Sequence, residues 1–277
     1  MRVRVLGSAA GGGCPQWNCA CAVCADARRT GRNRTQDTVA VSGDGSAWYL
    51  LNAGPDIRAQ ILGMPELTPA GRRGTPLRGV LLTTAELDHT LGLLSLREAA
   101  RLSVYATATV TAALSAAFPL RPMLARYTDL DWRDLTDPLE LDGGLTVRRL
   151  TVGTKRPKYA VDAPGDDWVS ALRLTDDRTG ASFVYATCLP EWTGAFDTFV
   201  AGADEVLLDG TFVTDDELTR ATGRPGRAAS MGHLPMADSR PRAGGHPGTR
   251  FRYGHLNNTN PSTGADVVVD GAELFGP

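Results

Sequence analysis

The sequence predicts a single-domain α/β sandwich, and three observations carry that reading. Apolar runs of strand length recur along the 277 residues, separated by turns rich in glycine, asparagine and aspartate. A few segments of helical periodicity interleave with them. No repeat and no linker divides the chain, and its length suffices for one large core. Many strands and few helices in one unit point to sheets stacked in layers.

Val3 and Val5 alternate with Arg2 and Arg4, which reads as an opening strand ending at the glycine-rich turn Gly11-Gly12-Gly13. Residues 38–42 and 47–52 read as two strands joined by Ser42-Gly43-Asp44-Gly45-Ser46. A short helix is expected over 57–62. The continuous apolar run after Arg78 reads as a buried strand reaching Thr84. Leu93, Leu94, Leu96, Ala100 and Leu102 then lie near 3.6-residue spacing, which predicts a helix, with a strand from Val104 and a helix over 110–118. Residues 139–150 resemble a hairpin turning at Asp142-Gly143-Gly144. Strands are expected over 168–174, 182–186 and 205–208, the last ending at Asp209-Gly210. Residues 221–229 and 240–250, rich in arginine and glycine, read as loops. Arg252 to His255 closes a strand, and Val267-Val268-Val269 is expected to be the last one.

Hydrophobic residues make up 42% and charged residues 22%, as in a globular protein. The formal net charge of -2 argues against general nucleic-acid binding. No apolar stretch reaches the roughly 18 residues that span a bilayer, and no secretory h-region follows Met1. The expectation is therefore a cytoplasmic protein with neither nucleic-acid nor membrane partner; a homodimer is compatible with this reading.

In a reducing compartment, clustered cysteines are metal ligands or redox groups before they are disulfides. Cys19, Cys21 and Cys24 form C-x-C-x-x-C, which lets three thiolates converge on one soft ion, zinc first. Cys14 and Cys188 are read as small apolar filler. Trp17 and Asn18 are read as loop-packing residues. A second cluster, Glu86-Leu87-Asp88-His89, follows the buried strand and stands at a sheet edge. Of the four histidines, His89, His233 and His255 sit at strand ends or in unusual turns, whereas His246 reads as solvated in a glycine-proline loop. Asp88, His89 and His255 supply one carboxylate and two imidazoles. That is the facial set suited to non-haem iron(II), although it would also hold zinc. Asp209 is a second carboxylate at a strand end, with a turn or cap as its alternative role. Glu86 shares a face with Asp88 on an extended chain and is read as a base standing behind the ligands. Arg58 and Arg97 would suit a substrate carboxylate or an internal salt bridge.

Several of these stretches closely resemble the coenzyme PQQ biosynthesis protein B family. They are residues 6–13 and 15–19, Pro55 to Gln60, Asp88-His89-Thr90, Gly92 to Glu98, Met231 to Leu234 and Asn257 to Pro261. The resemblance implies a metallo-β-lactamase-like αββα sandwich over 1–277, with an N-terminal zinc loop at 14–24 and the active site at one sheet edge. It implies a structural zinc at Cys19, Cys21 and Cys24, with Asn258 where a related branch has a histidine as fourth ligand. The superfamily motif H-x-H-x-D-H reads Thr84 to His89 here, so its first two histidines are absent. A third histidine is expected to be replaced near Thr154, and a bridging aspartate near Thr187. One metal pocket is thereby dismantled and a second, Asp88-His89-His255, remains. The resemblance implies either an iron-dependent oxygenase that hydroxylates a tyrosine-derived ring, from a small molecule or short peptide, or a carrier of the quinone cofactor or its precursor. A zinc-dependent phosphodiester or ester hydrolase, with His233 as proton donor, is the alternative from a different class. Departures beside the pocket, at Cys14, Thr84 and Glu86, make a paralogue with a related substrate compatible with the sequence.

Overall fold

This computed structural model describes residues 1–276. Thirteen strands build it. The first six are β1 (Arg2–Gly7), β2 (Thr38–Ser42), β3 (Trp48–Leu51), β4 (Leu77–Leu81), β5 (Leu102–Ala106) and β6 (Leu130–Asp134). The rest are β7 (Leu139–Leu141), β8 (Leu145–Gly153), β9 (Val169–Asp176), β10 (Ser182–Ala186), β11 (Glu205–Asp209), β12 (Arg250–Gly254) and β13 (Glu273–Phe275). One sheet has the order β13-β1-β2-β3-β4-β5-β6 and the other β12-β11-β10-β9-β8-β7.

Alternation along the strands sets the layers. Leu51, Val39 and Val5 face inward and meet Leu172, Tyr185 and Leu207 of the second sheet. Leu50, Val80 and Val104 face outward and pack under helices carrying Ile57, Leu93, Val110 and Leu124. Val184, Val206 and Leu208 face the opposite outside and pack against Phe196, Val200 and Met236. The result is four layers, helices–sheet–sheet–helices. The hairpin between β2 and β3 is fixed by Asp44, whose carboxylate accepts from the Ser46 and Ala47 amides at 2.8 and 2.9 Å. In this way a local side chain satisfies the turn's exposed donors. No helix among the described residues is long and apolar enough to cross a membrane.

The element readings hold for most strands and fail in informative places. Leu102 does not continue a helix. The helix stops after Leu93–Leu96, and Leu102 opens β5 beside β4. Sheet pairing overrides the accidental helical spacing here. The helix expected over 110–118 is Ala108–Ala113. Helix Glu217–Thr222 runs into the first supposed loop, and helix Met236–Ala243 carries Pro241 within the second. Val267 makes only an isolated bridge to Tyr253; the last strand is β13. His246 is not solvated: its side chain is 13% exposed, against Trp192 and Phe251, with Nε2 3.1 Å from Asp197. Trp17 packs no loop, being 88% exposed, and Asn18 is exposed with it.

Candidate metal centre

β3 to β6 run parallel, as do β10 to β12, so the turns leaving their C-terminal ends gather along one edge of the sandwich. This is where open parallel sheets present their ligand sites. The chain leaves β4 through Leu82 to Glu86 and enters a single helical turn, Leu87–Thr90, that carries Asp88 and His89. β11 ends at Asp209 and β12 delivers His255. Cys188 follows β10. Together they line or back a cavity of about 590 Å³, within the size range of small-molecule sites.

Asp88, His89 and His255 do meet. Asp88 Oδ2 is 3.4 Å from His255 Nε2 and 3.9 Å from His89 Nε2, and the two rings are 5.1 Å apart. Ligands around a tetrahedral ion with bonds of about 2.1 Å stand roughly 3.4 Å apart. Asp88 thus stands near ligand distance from each ring, while the donor groups that converge within 4.8 Å of one another are His89–Cys188–His255 and Asp209–His233–His255. His89 and His255 are buried, at 1% and 3% exposure. Both His89 nitrogens and His255 Nε2 nevertheless lack hydrogen-bond partners. Buried polar atoms are rarely left so, and a cation between them would satisfy the nitrogens that face it.

The backbone is arranged around this need. His255 has φ +56°, a left-handed conformation that costs a non-glycine residue about 1–2 kcal/mol. Gly11 folds over Asp88 so closely that a Cβ there would stand 3.1 Å from Oδ2, so a side chain at this turn would press on the carboxylate.

Thr211, which the sequence reading passed over, orients the site. His255 Nδ1 lies 2.9 Å from Thr211 Oγ1, and that hydroxyl donates to Asp209 Oδ1 at 2.6 Å. His255 therefore donates through Nδ1 and turns the lone pair of Nε2 toward Asp88. Asp209 Oδ2 accepts from His233 Nδ1 at 2.7 Å and from the Leu189 amide at 2.9 Å. Asp209 is thus an orienting carboxylate behind the cavity, while His233 is on its wall. Asp-Gly-Thr at a strand end was the signal available for Thr211.

Asp37 was also missed. It lies beneath the site with 1% exposure, Oδ2 3.8 Å from His89 Nε2. Tyr185 and Thr187 both donate to that oxygen, Thr187 at 2.7 Å. Thr187 therefore does not face the cavity, and the neighbouring Cys188 does. Cys188 also packs against the apolar layer under the first sheet, as its reading as filler expects, and no carboxylate stands at Thr187. Glu86 stands at the cavity wall, 3.6 Å from Lys155 Nζ. Thr84 lines the cavity but offers a hydroxyl where the superfamily motif has an imidazole, and Thr154 is exposed. Arg58 and Arg97 do not line the cavity; Arg97 bonds the Leu94 carbonyl at 2.6 Å. Lys155 and Lys158, the chain's only lysines, do line it.

The electrostatics suit a cation. Burial disfavours the charged form of Asp88, but His89 and His255 outweigh it and hold the carboxyl below its usual range. Burial lowers the proton affinity of His89, against the pull of Asp88, and so favours the neutral imidazole that binds metal. Burial also opposes charge on His255, yet the Asp88 carboxylate 3.4 Å away, with Asp37 and Asp209, raises its proton affinity.

The second cluster forms as expected. Cys19, Cys21 and Cys24 hold their sulfurs within 4.8 Å of one another, at and inside the start of helix Ala22–Thr30. Asn258 closes the group, with Nδ2 3.3 Å from Cys24 Sγ and its backbone oxygen 3.4 Å from Cys21 Sγ. Burial and the neighbouring thiols push Cys21 up to about 11; a bound cation would reverse that shift. Cys14 is buried beside Cys24.

Four layers with donors along one strand edge define the chain as a β-lactamase superfamily domain, and the model of that domain matches residues 47–243. Within the superfamily the chain belongs to the coenzyme PQQ synthesis protein B family. It is 39% identical to the Azoarcus sp. (strain BH72) member, over 94% of this chain and 91% of that one. It is also 39% identical to the Cupriavidus necator member, over 98% of each. The crystal structure of Zn(2+)-bound PqqB from Methylobacterium extorquens superposes with TM-score 0.89 at 34% identity, covering 99% of this chain and all of that one. A diphosphatase from the PhnP family, at 19% identity and TM-score 0.73, shares the fold.

Proposed function

We propose that this chain binds one catalytic metal ion at Asp88, His89 and His255 and uses it to hydroxylate an aromatic, carboxylate-bearing substrate derived from tyrosine, in quinone-cofactor assembly or a related pathway. The observation that carries this reading is the set of buried, unpartnered imidazole nitrogens facing the Asp88 carboxylate. Iron(II) on two histidines and one carboxylate keeps open positions where dioxygen and substrate can be brought together. Tyr159, Phe212 and Val169 give the cavity an apolar wall for a ring. Lys155 and Lys158 stand where they would hold carboxylates. Asp209 holds His233 by Nδ1, leaving Nε2 to take or return a proton. The cysteine loop, with Asn258, is a separate structural zinc site: its donors are sulfur and it stands outside the cavity.

The test is anaerobic purification, iron loading, and measurement of oxygen uptake and product mass with a panel of tyrosine-derived carboxylates. Coupled uptake and a mass gain of one oxygen are expected. No uptake by iron-loaded protein across the panel would overturn the reading. Zinc-dependent ester or phosphodiester hydrolysis is the second reading, favoured by the zinc in the M. extorquens crystal and by the Asp209–His233 pair. Turnover of a chromogenic diester by the zinc-loaded protein would establish it.

A further inference from the structure

Glu86 and Lys155 reach the cavity from different sheets. Glu86 lies between β4 and the turn Leu87–Thr90, and Lys155 follows β8. Both line the cavity, with Lys155 Nζ 3.6 Å from Glu86 Oε1; at that distance they are an ion pair without a hydrogen bond. The Lys155 stem passes over Gly232, where a Cβ would stand 2.6 Å from Lys155 Cδ. One side chain thus bridges the wall of His233 and the wall of Asp88. The backbone at Glu86 is fixed: the Thr90 hydroxyl donates to its carbonyl at 2.9 Å, and the Tyr159 hydroxyl donates to the Ala85 carbonyl. Stability does not account for the pair, because Lys155 and Glu86 are 41% and 31% exposed and such pairs contribute little. Of 29 lysines and arginines, only Lys155 and Lys158 are lysines, and both line this cavity. An arginine would grip Glu86 with a planar fork, whereas a lysine holds it as a point charge on a flexible stem and lets go more readily.

We propose that Glu86 and Lys155 form a clasp that reads the zwitterionic head of a free α-amino acid. The Lys155 ammonium takes the substrate carboxylate, the Glu86 carboxylate takes the substrate ammonium, and the clasp opens as the two new pairs form. The proposal rests on the reading of the cavity given above and narrows its substrate to one with an unblocked amino group. Each charged group has an opposite partner in both states. A deaminated acid would take Lys155, strand Glu86 and set two carboxylates against each other; an amine without a carboxylate would strand Lys155. The clasp also stands beside an aromatic wall, since burial and then the Glu86 carboxylate push the Tyr159 hydroxyl up. Head group and ring would therefore be held by neighbouring surfaces.

Calorimetry on the zinc-loaded protein tests this without relying on turnover, using three ligands that share a phenol: L-tyrosine, tyramine and para-hydroxyphenylpropionate. The wild type should bind L-tyrosine at least about tenfold more tightly than either of the others. Glu86→Gln should reduce L-tyrosine to the level of the propionate, and Lys155→Met should reduce it to the level of tyramine. Both residues are partly exposed, so neither change opens the core; a thermal melt and a metal count on each variant check that fold and centre survive. Should one variant fail that check, the wild-type comparison and the other variant still decide. Equal binding of L-tyrosine and the propionate by the wild type would overturn the clasp while leaving the aromatic site intact. So would a preference for L-tyrosine that either substitution leaves unchanged, since the ion and not the clasp would then read the head. Binding of none of the three ligands would overturn both readings.

Discussion

Replacing Tyr185 with phenylalanine tests the buried network that supports the metal centre from below. Tyr185 is fully buried. Its hydroxyl donates to Asp37 Oδ2 and accepts from Asn52 Nδ2 at 3.0 Å. The phenyl ring of the variant keeps the packing between the sheets, so the change removes polarity alone. Asp37 Oδ1 has no partner, so without Tyr185 the carboxylate keeps a single bond, from Thr187. A hydrogen bond to a charged group contributes about 1.5–3 kcal/mol. Asn52 Nδ2 retains Thr83 Oγ1 at 3.0 Å, so its own loss adds little. The expected destabilisation is about 2 kcal/mol, which in a domain near this size lowers Tm by roughly 4–8 °C. The pH dependence has a definite sign. Burial raises the Asp37 carboxyl above its ordinary value, and the bonds from Tyr185 and Thr187 oppose that rise. A carboxyl raised on folding contributes stability that is full below its unfolded value, about 3.9, and is lost as pH rises through the folded value. Removing Tyr185 raises it further, so the deficit should be largest at neutral pH and narrow on acidification. Thermal melts of both proteins, at matched metal loading from pH 8 down to about pH 5, provide the measurement. A variant as stable as the wild type at neutral pH, or a gap that widens as pH falls, would refute the reasoning.

His255→Ala should remove the second-site ion and leave the cysteine-bound one, which metal analysis of the purified variant would count; loss of both ions would mean that the two clusters are not independent. Asp44→Ala should cost about 1 kcal/mol at neutral pH by stripping the β2–β3 turn of its acceptor. The Ser46 hydroxyl and the turn amides hold the Asp44 carboxyl below its usual range. That contribution is present above the ordinary carboxylate value and is lost as pH falls through the folded value. Equal denaturant midpoints for variant and wild type at pH 7 would rule the turn role out. Lys155→Ala should weaken binding of a carboxylated aromatic on the order of tenfold, with little change for the corresponding amide; calorimetry showing equal losses for both would place the lysine outside substrate recognition.

Much of this site could be read along the chain because its chemistry is local. C-x-C-x-x-C brings three sulfurs together through one loop and one helix start. Asp88 and His89 are adjacent and follow a recognisable buried strand. Even distant His255 was marked by the asparagine-rich turn after it. The misses share a cause. Asp37 and Cys188 take their meaning from what lies across the gap between the sheets, and Thr211 from His255 at the end of the neighbouring strand; no spacing rule reports such contacts. Leu102 shows the same limit in the fold, since its helical phase was overridden by pairing with β4.

The sequence by itself determined the donor types, the alternation that buries one face of each strand, and the turns that end them, because these depend on residues a few positions apart. Only the tertiary structure decided that Thr187 turns inward to Asp37 while Cys188 faces the cavity, and that Thr211 aims His255 at Asp88. Those outcomes depend on the pairing of β11 with β12 and on the stacking of the two sheets, which set the distances between side chains far apart in the chain.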